Sequence, residues 1–249
     1  MIEALVIGML AEDPNFDNTP ALESFLQSCT DCVLHIPKGH YYFNTPLKPT
    51  VKTVAILGDG MNSTILLKNY EGPAPFLPFH AGTASRLSDM TLGAWSGKGS
   101  TALELKSQSG ANGKFGLAPD FFDARNINIT VYNGATWSTG IDLNGVYRAR
   151  QTLSGLRDLH IDNVFVFGCT KAALNINTVH GAKIYGQFFT AGGTTNRITF
   201  NAWADDKNSG IILESPVLGD IQLWNTISSV IITASINSIY NIGSTVKIP

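Results

Sequence analysis

Charge is scarce in this sequence. Charged residues make up 14% of its 249 positions and the formal net charge is -2, which excludes the dense basic footprint of a nucleic-acid binder and a charged membrane-surface segment. No apolar run approaches the ~18 residues of a membrane span. The opening MIEALVIGML carries no basic n-region of a secretory signal. Cysteine is nearly missing, with only Cys29, Cys32 and Cys169. Three thiols cannot all pair, and one Cys-x-x-Cys lacks the four ligands of a structural zinc site. They are read as small buried apolar residues before a redox pair. No metal, other cofactor, nucleic acid or membrane is expected as a partner.

What is plentiful is Gly (24) and Asn (19), together about one residue in six. Both tolerate left-handed backbone, and a coil of strands needs a corner after every strand. A short alternating segment recurs four times, at Asp89–Leu92 (DMTL), Asn126–Ile129 (NINI), Asp158–Ile161 (DLHI) and Arg197–Phe200 (RITF). A second follows each one, at Ala102–Leu105, Gly140–Leu143, Ala173–Ile176 and Gly210–Leu213. Copies lie roughly 32 to 39 residues apart, the spacing of stacked repeats. A third strand is visible at Ala182–Tyr185 and Asp220–Leu223. Three strands per turn predict an all-β, single-stranded parallel β-helix of about five to six coils.

One helix is expected, within Asp17–Gln27, with Thr19 as N-cap, Pro20 at the first helical position and Leu22, Phe25 and Leu26 on one face. Residues 1–32 read as an N-terminal segment and capping helix, and 33–249 as the β-helix, a single domain overall. Gly58-Asp-Gly60 is half a dinucleotide fingerprint, but Ser63 replaces the third glycine and a strand follows.

The order Asp17-Asn-Thr-Pro-Ala-Leu22, then Ile36-Pro-Lys-Gly39 with Tyr42-Phe43, then Gly58-Asp-Gly60 with Ser63-Thr-Ile65 resembles the start of the pectate-lyase-like β-helix superfamily, and within it bacteriophage tailspikes. The resemblance covers roughly residues 13 to 67. It implies a right-handed helix, a homotrimer, and a virion-surface protein that binds or cuts bacterial surface polysaccharide beside other virion proteins, with no signal peptide needed. Recognition without proven catalysis is the first expectation; a depolymerase or a purely architectural virion protein are the alternatives.

Alternation points Met90 and Leu92, Ile127 and Ile129, Leu159 and Ile161, and Ile198 and Phe200 inward. Outward residues stack at about 4.8 Å between turns, so Glu104, Asp142, Asn175 and Ile212 are expected to form one column. Glu104 and Asp142 then bring their carboxyl groups ~5 Å apart, the spacing of a retaining glycosidase, although a solvated ladder uses the same residues. His160, between Asp158 and Asp162, is a candidate base. Trp95, Trp137 and Trp203, with Tyr147 and Arg148 from a neighbouring loop, are candidate carbohydrate-binding residues because sugar C–H faces stack on exposed rings. The competing role for the indoles is packing between strands.

Overall fold

The computed structural model describes residues 1–50, 52–80, 85–106, 121–145, 156–190, 198–201, 208–214, 221–224, 227–233 and 239–242. In chain order the strands begin with β1 (Ile2–Glu3), β2 (Cys32–Ile36), β3 (Gly39–Phe43), β4 (Val54–Gly58), β5 (Thr64–Asn69), β6 (Leu77–His80), β7 (Ser85–Ser96), β8 (Ser100–Lys106) and β9 (Phe122–Val131). They continue with β10 (Trp137–Asn144), β11 (Leu156–Asn177), β12 (Val179–Thr190), β13 (Ile198–Asn201), β14 (Asn208–Glu214), β15 (Ile221–Trp224), β16 (Ile227–Thr233) and β17 (Ile239–Ile242). The single α-helix among the described residues is α1 (Thr19–Ser28).

Every described strand pairing is parallel. Parallel neighbours cannot be joined by a tight hairpin, so the chain travels around before it pairs again. Three runs of pairing result. The first joins β4 to the starts of β7, β9, β11 and β12 and then to β14 and β16. The second joins β3, β5, the remainders of β7 and β9, and the middle of β11 to the end of β12. The third joins β6, β8, β10, the end of β11, β13, β15 and β17.

Each run buries columns of apolar side chains. In one column of the first, Ile56, Leu87, Ala124, Ile161, Ile184 and Leu213 face one another turn by turn. In the second, one column is Leu66, Leu92, Ile129, Val166 and Phe188. The third holds Leu103, Ile141, Leu174 and Ile198. All of these are fully buried, so like packs on like, and the hydrophobic gain of roughly 25 cal/mol per Å² accrues on every turn.

Corners form where side chains tolerate a positive φ. Asp89 (62°), Asn126 (53°) and Asn163 (50°) are left-handed, and they divide the first run from the second within β7, β9 and β11.

The fourfold repeat divides between runs. Met90 pairs with Ile127 and Leu92 with Ile129, as alternation predicts. Leu159 and Ile161 instead meet Phe122 and Ala124, and the next rung after Ile127 and Ile129 is Val164 and Val166. Ile198 belongs to a third position, opposite Leu174. Asn163-Val-Phe-Val166 carries the apolar Phe165 at an outward position, so polarity alternation favours Asp158-Leu-His-Ile161 over the segment that forms the rung.

The apolar stripe of α1 is as predicted, with Leu22, Phe25 and Leu26 buried. Its N-cap is Asn18, not Thr19. The Thr19 hydroxyl donates to the Thr45 carbonyl at 2.7 Å, while Asp17 Oδ1 accepts the Thr19 N–H at 2.9 Å. Tertiary hydrogen bonding therefore displaces the local cap. Cys29 and Cys32 form a disulfide from the end of α1 to the start of β2, correcting their reading as free apolar residues. Cys169 is a buried free thiol, pushed up to about 12 by burial.

Candidate functional site

Glu104 on β8 and Asp142 on β10 stand opposite each other in the third run. Asn175 on β11 follows, and its Nδ2 donates to Asp142 Oδ1 at 2.7 Å. The sequence-predicted column holds to this point. Its next member is Thr199; Ile212 lies in the first run opposite Lys183, because β14 returns to a different side of the coil. His80 Nε2 approaches Glu104 Oε1 to 2.5 Å, both side chains being largely buried. Burial raises the Asp142 carboxyl above the usual carboxylate range; neighbouring Glu104 acts in the same direction, and the Asn175 bond and Lys106 oppose without reversing it. A carboxylic acid disposed to hold its proton beside a second carboxyl is acid–base chemistry.

His160 does not face the two acids of its own strand. Its Nδ1 lies 3.2 Å from Oδ1 of Asp123 on the neighbouring strand and 3.3 Å from an Arg125 guanidinium nitrogen. Asp123 has no exposed side-chain surface. It accepts from Arg86 Nε at 2.9 Å and Arg125 Nε at 2.7 Å. Burial works to raise its pKa, yet the Arg125 and Arg86 hydrogen bonds outweigh it and hold the carboxyl below the usual range. His160 is thus one corner of a four-residue ionic cluster.

The tryptophans separate sharply. Trp137 is fully buried, its indole N–H donates to the Thr130 carbonyl at 2.8 Å, and its ring stacks on Phe76 with centroids 6.1 Å apart. It is a core residue and offers no face to a sugar: its ring lies inside the coil at a position where the neighbouring turns supply only the small buried Ser100 and Cys169. Trp95 is half-buried, edge-on to Tyr42 at 5.6 Å, and forms a wall of a cleft of about 550 Å³ shared with Asn69, Glu71, Lys98 and Asn133. Trp203, Tyr147 and Arg148 lie outside the described residues.

Sequence reasoning missed His80, Asp123, Arg86 and Arg125. His80 sits two residues beyond Pro78, which faces Glu104, so its contact with Glu104 is diagonal. Asp123 carries an alternation signal, Phe122-Asp-Ala124, but it precedes the Asn126 corner and so lies outside the repeated Asn126–Ile129 segment. Among the described residues no group of three or more His, Cys, Asp or Glu side chains could hold a metal ion, and no helix is long and apolar enough to cross a membrane.

No protein-family description matches the sequence, and no characterised protein matches it by sequence similarity. Among solved structures the chain is similar to the Agl-KA catalytic domain, at 11% identity and a TM-score of 0.41, over 93% of this chain and 55% of that one. It is similar to ORF18 of Geobacillus virus E2, at 11% identity and a TM-score of 0.27, over 95% of this chain and 61% of that one. A third is the catalytic unit of a GH87 α-1,3-glucanase from Streptomyces thermodiastaticus, at 12% identity and a TM-score of 0.32, over 98% of this chain and 65% of that one. The chain spans less than two thirds of the length of each.

Proposed function

We propose that this chain is a right-handed parallel β-helix of about five to six coils, closed at its first turn by α1, that recognises a bacterial surface polysaccharide as a spike-like protein of a phage virion. It acts at the virion surface, as a homotrimer beside other virion proteins. The observation that supports this reading is the Trp95 cleft, where one accessible indole stands among Asn69, Glu71, Lys98 and Asn133. A ring face for sugar C–H groups surrounded by donors and acceptors is the chemistry of glycan recognition. The test is retention of the protein on immobilised capsular or O-antigen polysaccharide. Wild type is expected to be retained and Trp95→Ala released; equal retention of the two proteins refutes the role given to the cleft. A protein that binds no glycan supports the architectural alternative.

The Glu104 and Asp142 pair favours a second reading, a depolymerase of the same fold. With Asp142 disposed to hold a proton, it takes the acid role, and Glu104 takes that of base or nucleophile at the ~5 Å separation of retaining hydrolysis. His80 positions Glu104. Incubation with the polysaccharide is then expected to release oligosaccharides, with new ultraviolet absorbance only if the reaction is an elimination. A Glu104→Gln protein with undiminished release rules the pair out.

A further inference from the structure

Residues 1–7 lie on the coil with little holding them. β1 pairs with β2 at two positions, Ile2 opposite Leu34 and Glu3 opposite His35, and one 3₁₀ turn follows over Ala4–Ile7. Of this segment only Ala4 is fully buried; Ile2 and Ile7 are half-buried against the core, and Met1, Leu5 and Val6 are exposed. Segments with so few buried apolar contacts open before the rest of a fold. Beyond Gly8 the attachment is firmer. Met9 is buried, Leu10 exchanges two hydrogen bonds with the Asn18 side chain, at 2.7 and 3.0 Å, and the Glu12 N–H donates to the His40 carbonyl at 2.8 Å. Gly8 itself has a φ of 86° and open space around it, so it can absorb the dihedral change of a hinge. The Met9 N–H, which donates to the Ala4 carbonyl at 3.0 Å, bridges that hinge.

Two histidine–carboxylate contacts hold the N-terminal segment down, and they differ in the protons they need. His40 Nδ1 lies 3.1 and 3.0 Å from the two oxygens of Glu12. One N–H suffices there, so a neutral imidazole with its proton on Nδ1 keeps the contact. His35 has a carboxylate oxygen on each ring nitrogen, Glu3 Oε2 on Nδ1 and Asp59 Oδ1 on Nε2, both at 2.7 Å. Both contacts require an N–H, and only the imidazolium carries two. Losing that proton turns a charge-assisted bond into a ring lone pair facing an anionic oxygen. Asp59 stays anchored by the Lys38 N–H at 2.9 Å, whereas Glu3 has no second hydrogen-bond partner among the described residues. The other ionisable groups around His35 are Lys38, Glu12, His40 and the Tyr41 hydroxyl. The His35 bond lowers the Asp59 carboxyl first, the His40 N–H lowers Glu12, and burial raises Tyr41, which moves these three away from the neutral range.

We propose that residues 1–7 are a pH-released flap: the His35 imidazolium clips Glu3 to Asp59, and loss of its proton lets the flap swing on Gly8 and bare the outer edge of β2. The bonds to Glu3 and then Asp59 raise the His35 pKa, so the clip is closed below about pH 6.5 and opens as pH climbs through the raised value. The bared edge is the backbone around Leu34 and His35, an unpaired strand edge of the kind that templates another strand. The device does not depend on the glycan reading.

Hydrogen exchange of the full chain at about pH 6 and about pH 9, corrected for intrinsic rates, reads the opening. Wild type is expected to lose protection at Met9 and over residues 1–7 about tenfold or more beyond any change in β7 to β11, the scale of one charge-assisted hydrogen bond. Glu3→Gln and His35→Gln are expected to be weakly protected at both pH values. The Glu3 side chain is 47% exposed, so Glu3→Gln leaves the core intact and decides the matter if His35→Gln fails to fold. A wild-type flap equally protected at both pH values overturns the proposal. A Glu3→Gln protein that keeps the full pH step also overturns it, because the titrating group then lies elsewhere. Protection lost evenly across β7 to β11 is global unfolding and overturns it as well.

Discussion

Asn126 donates its side-chain amide to Asp89 Oδ1 at 2.7 Å across 37 residues of sequence, and Asn163 repeats the bond to Asn126 Oδ1 at 2.8 Å. The ladder joins left-handed corners on three turns, so one residue supplies both a hydrogen bond and a tolerated positive φ. Asn126→Ala is expected to lower unfolding stability by about 2 kcal/mol, combining left-handed strain with a lost bond. Asn126→Gly should recover part of it. Denaturant unfolding of both variants measures the two parts, and equal losses would refute the conformational one.

Trp137 and Trp95 are expected to respond oppositely to truncation. Trp137→Ala empties a fully buried site and should destabilise by about 3–5 kcal/mol. Trp95→Ala removes a half-buried ring, with a smaller shift in melting temperature and a larger effect on polysaccharide retention. A Trp137→Ala protein that melts with wild type would contradict the burial.

His35 is clamped between Glu3 Oε2, 2.7 Å from Nδ1, and Asp59 Oδ1, 2.7 Å from Nε2. Its pKa is raised, first by the Glu3 hydrogen bond and then by that to Asp59, with burial opposing. The folded state therefore holds this proton more tightly than the unfolded chain. The stabilisation is full below about pH 6.5 and is lost as pH rises through the raised value. His35→Gln should be less stable than wild type at pH 5 to 6, and the gap in melting temperature should narrow as pH rises past that value. A gap of constant size would exclude the linkage.

Asp142 gives the opposite kind of pH dependence. Its carboxyl is raised, by burial first and by Glu104 next, so folding favours the protonated form. Its contribution declines as pH climbs from about 3.8 through the raised value. Asp142→Asn removes that penalty and should melt above wild type at pH 7, with the difference closing toward pH 4. In the depolymerase reading the same substitution abolishes oligosaccharide release. Stability gained where activity is lost would mark Asp142 as a strained functional group, and a variant less stable at pH 7 would refute the burial penalty.

Much of this molecule was legible before folding. Alternation turned Met90, Leu92, Ile127 and Ile129 inward and brought Glu104 opposite Asp142. The apolar stripe located α1. The third rung was not legible, because Asp158-Leu-His-Ile161 alternates in polarity while the true rung, Asn163-Val-Phe-Val166, hides its alternation behind an outward Phe165. What separates them is the amide ladder from Asp89 to Asn163, a contact between turns. Asp123 was missed for a related reason: the Asn126 corner splits β9, and the repeat registered only the half after it.

By itself the sequence determined a coil of parallel strands, through an alternation of period two and a supply of Asn and Gly for corners. These are local properties, read within a few residues, and every turn repeats them. The tertiary structure alone decided which side chains meet across turns: His80 with Glu104, Asp123 with Arg86, Arg125 and His160, and Phe165 with Phe189. It also decided which tryptophan is core and which is surface. Register is set by the sum of packing over whole columns and by the lengths of the loops between them, and no single segment contains that sum.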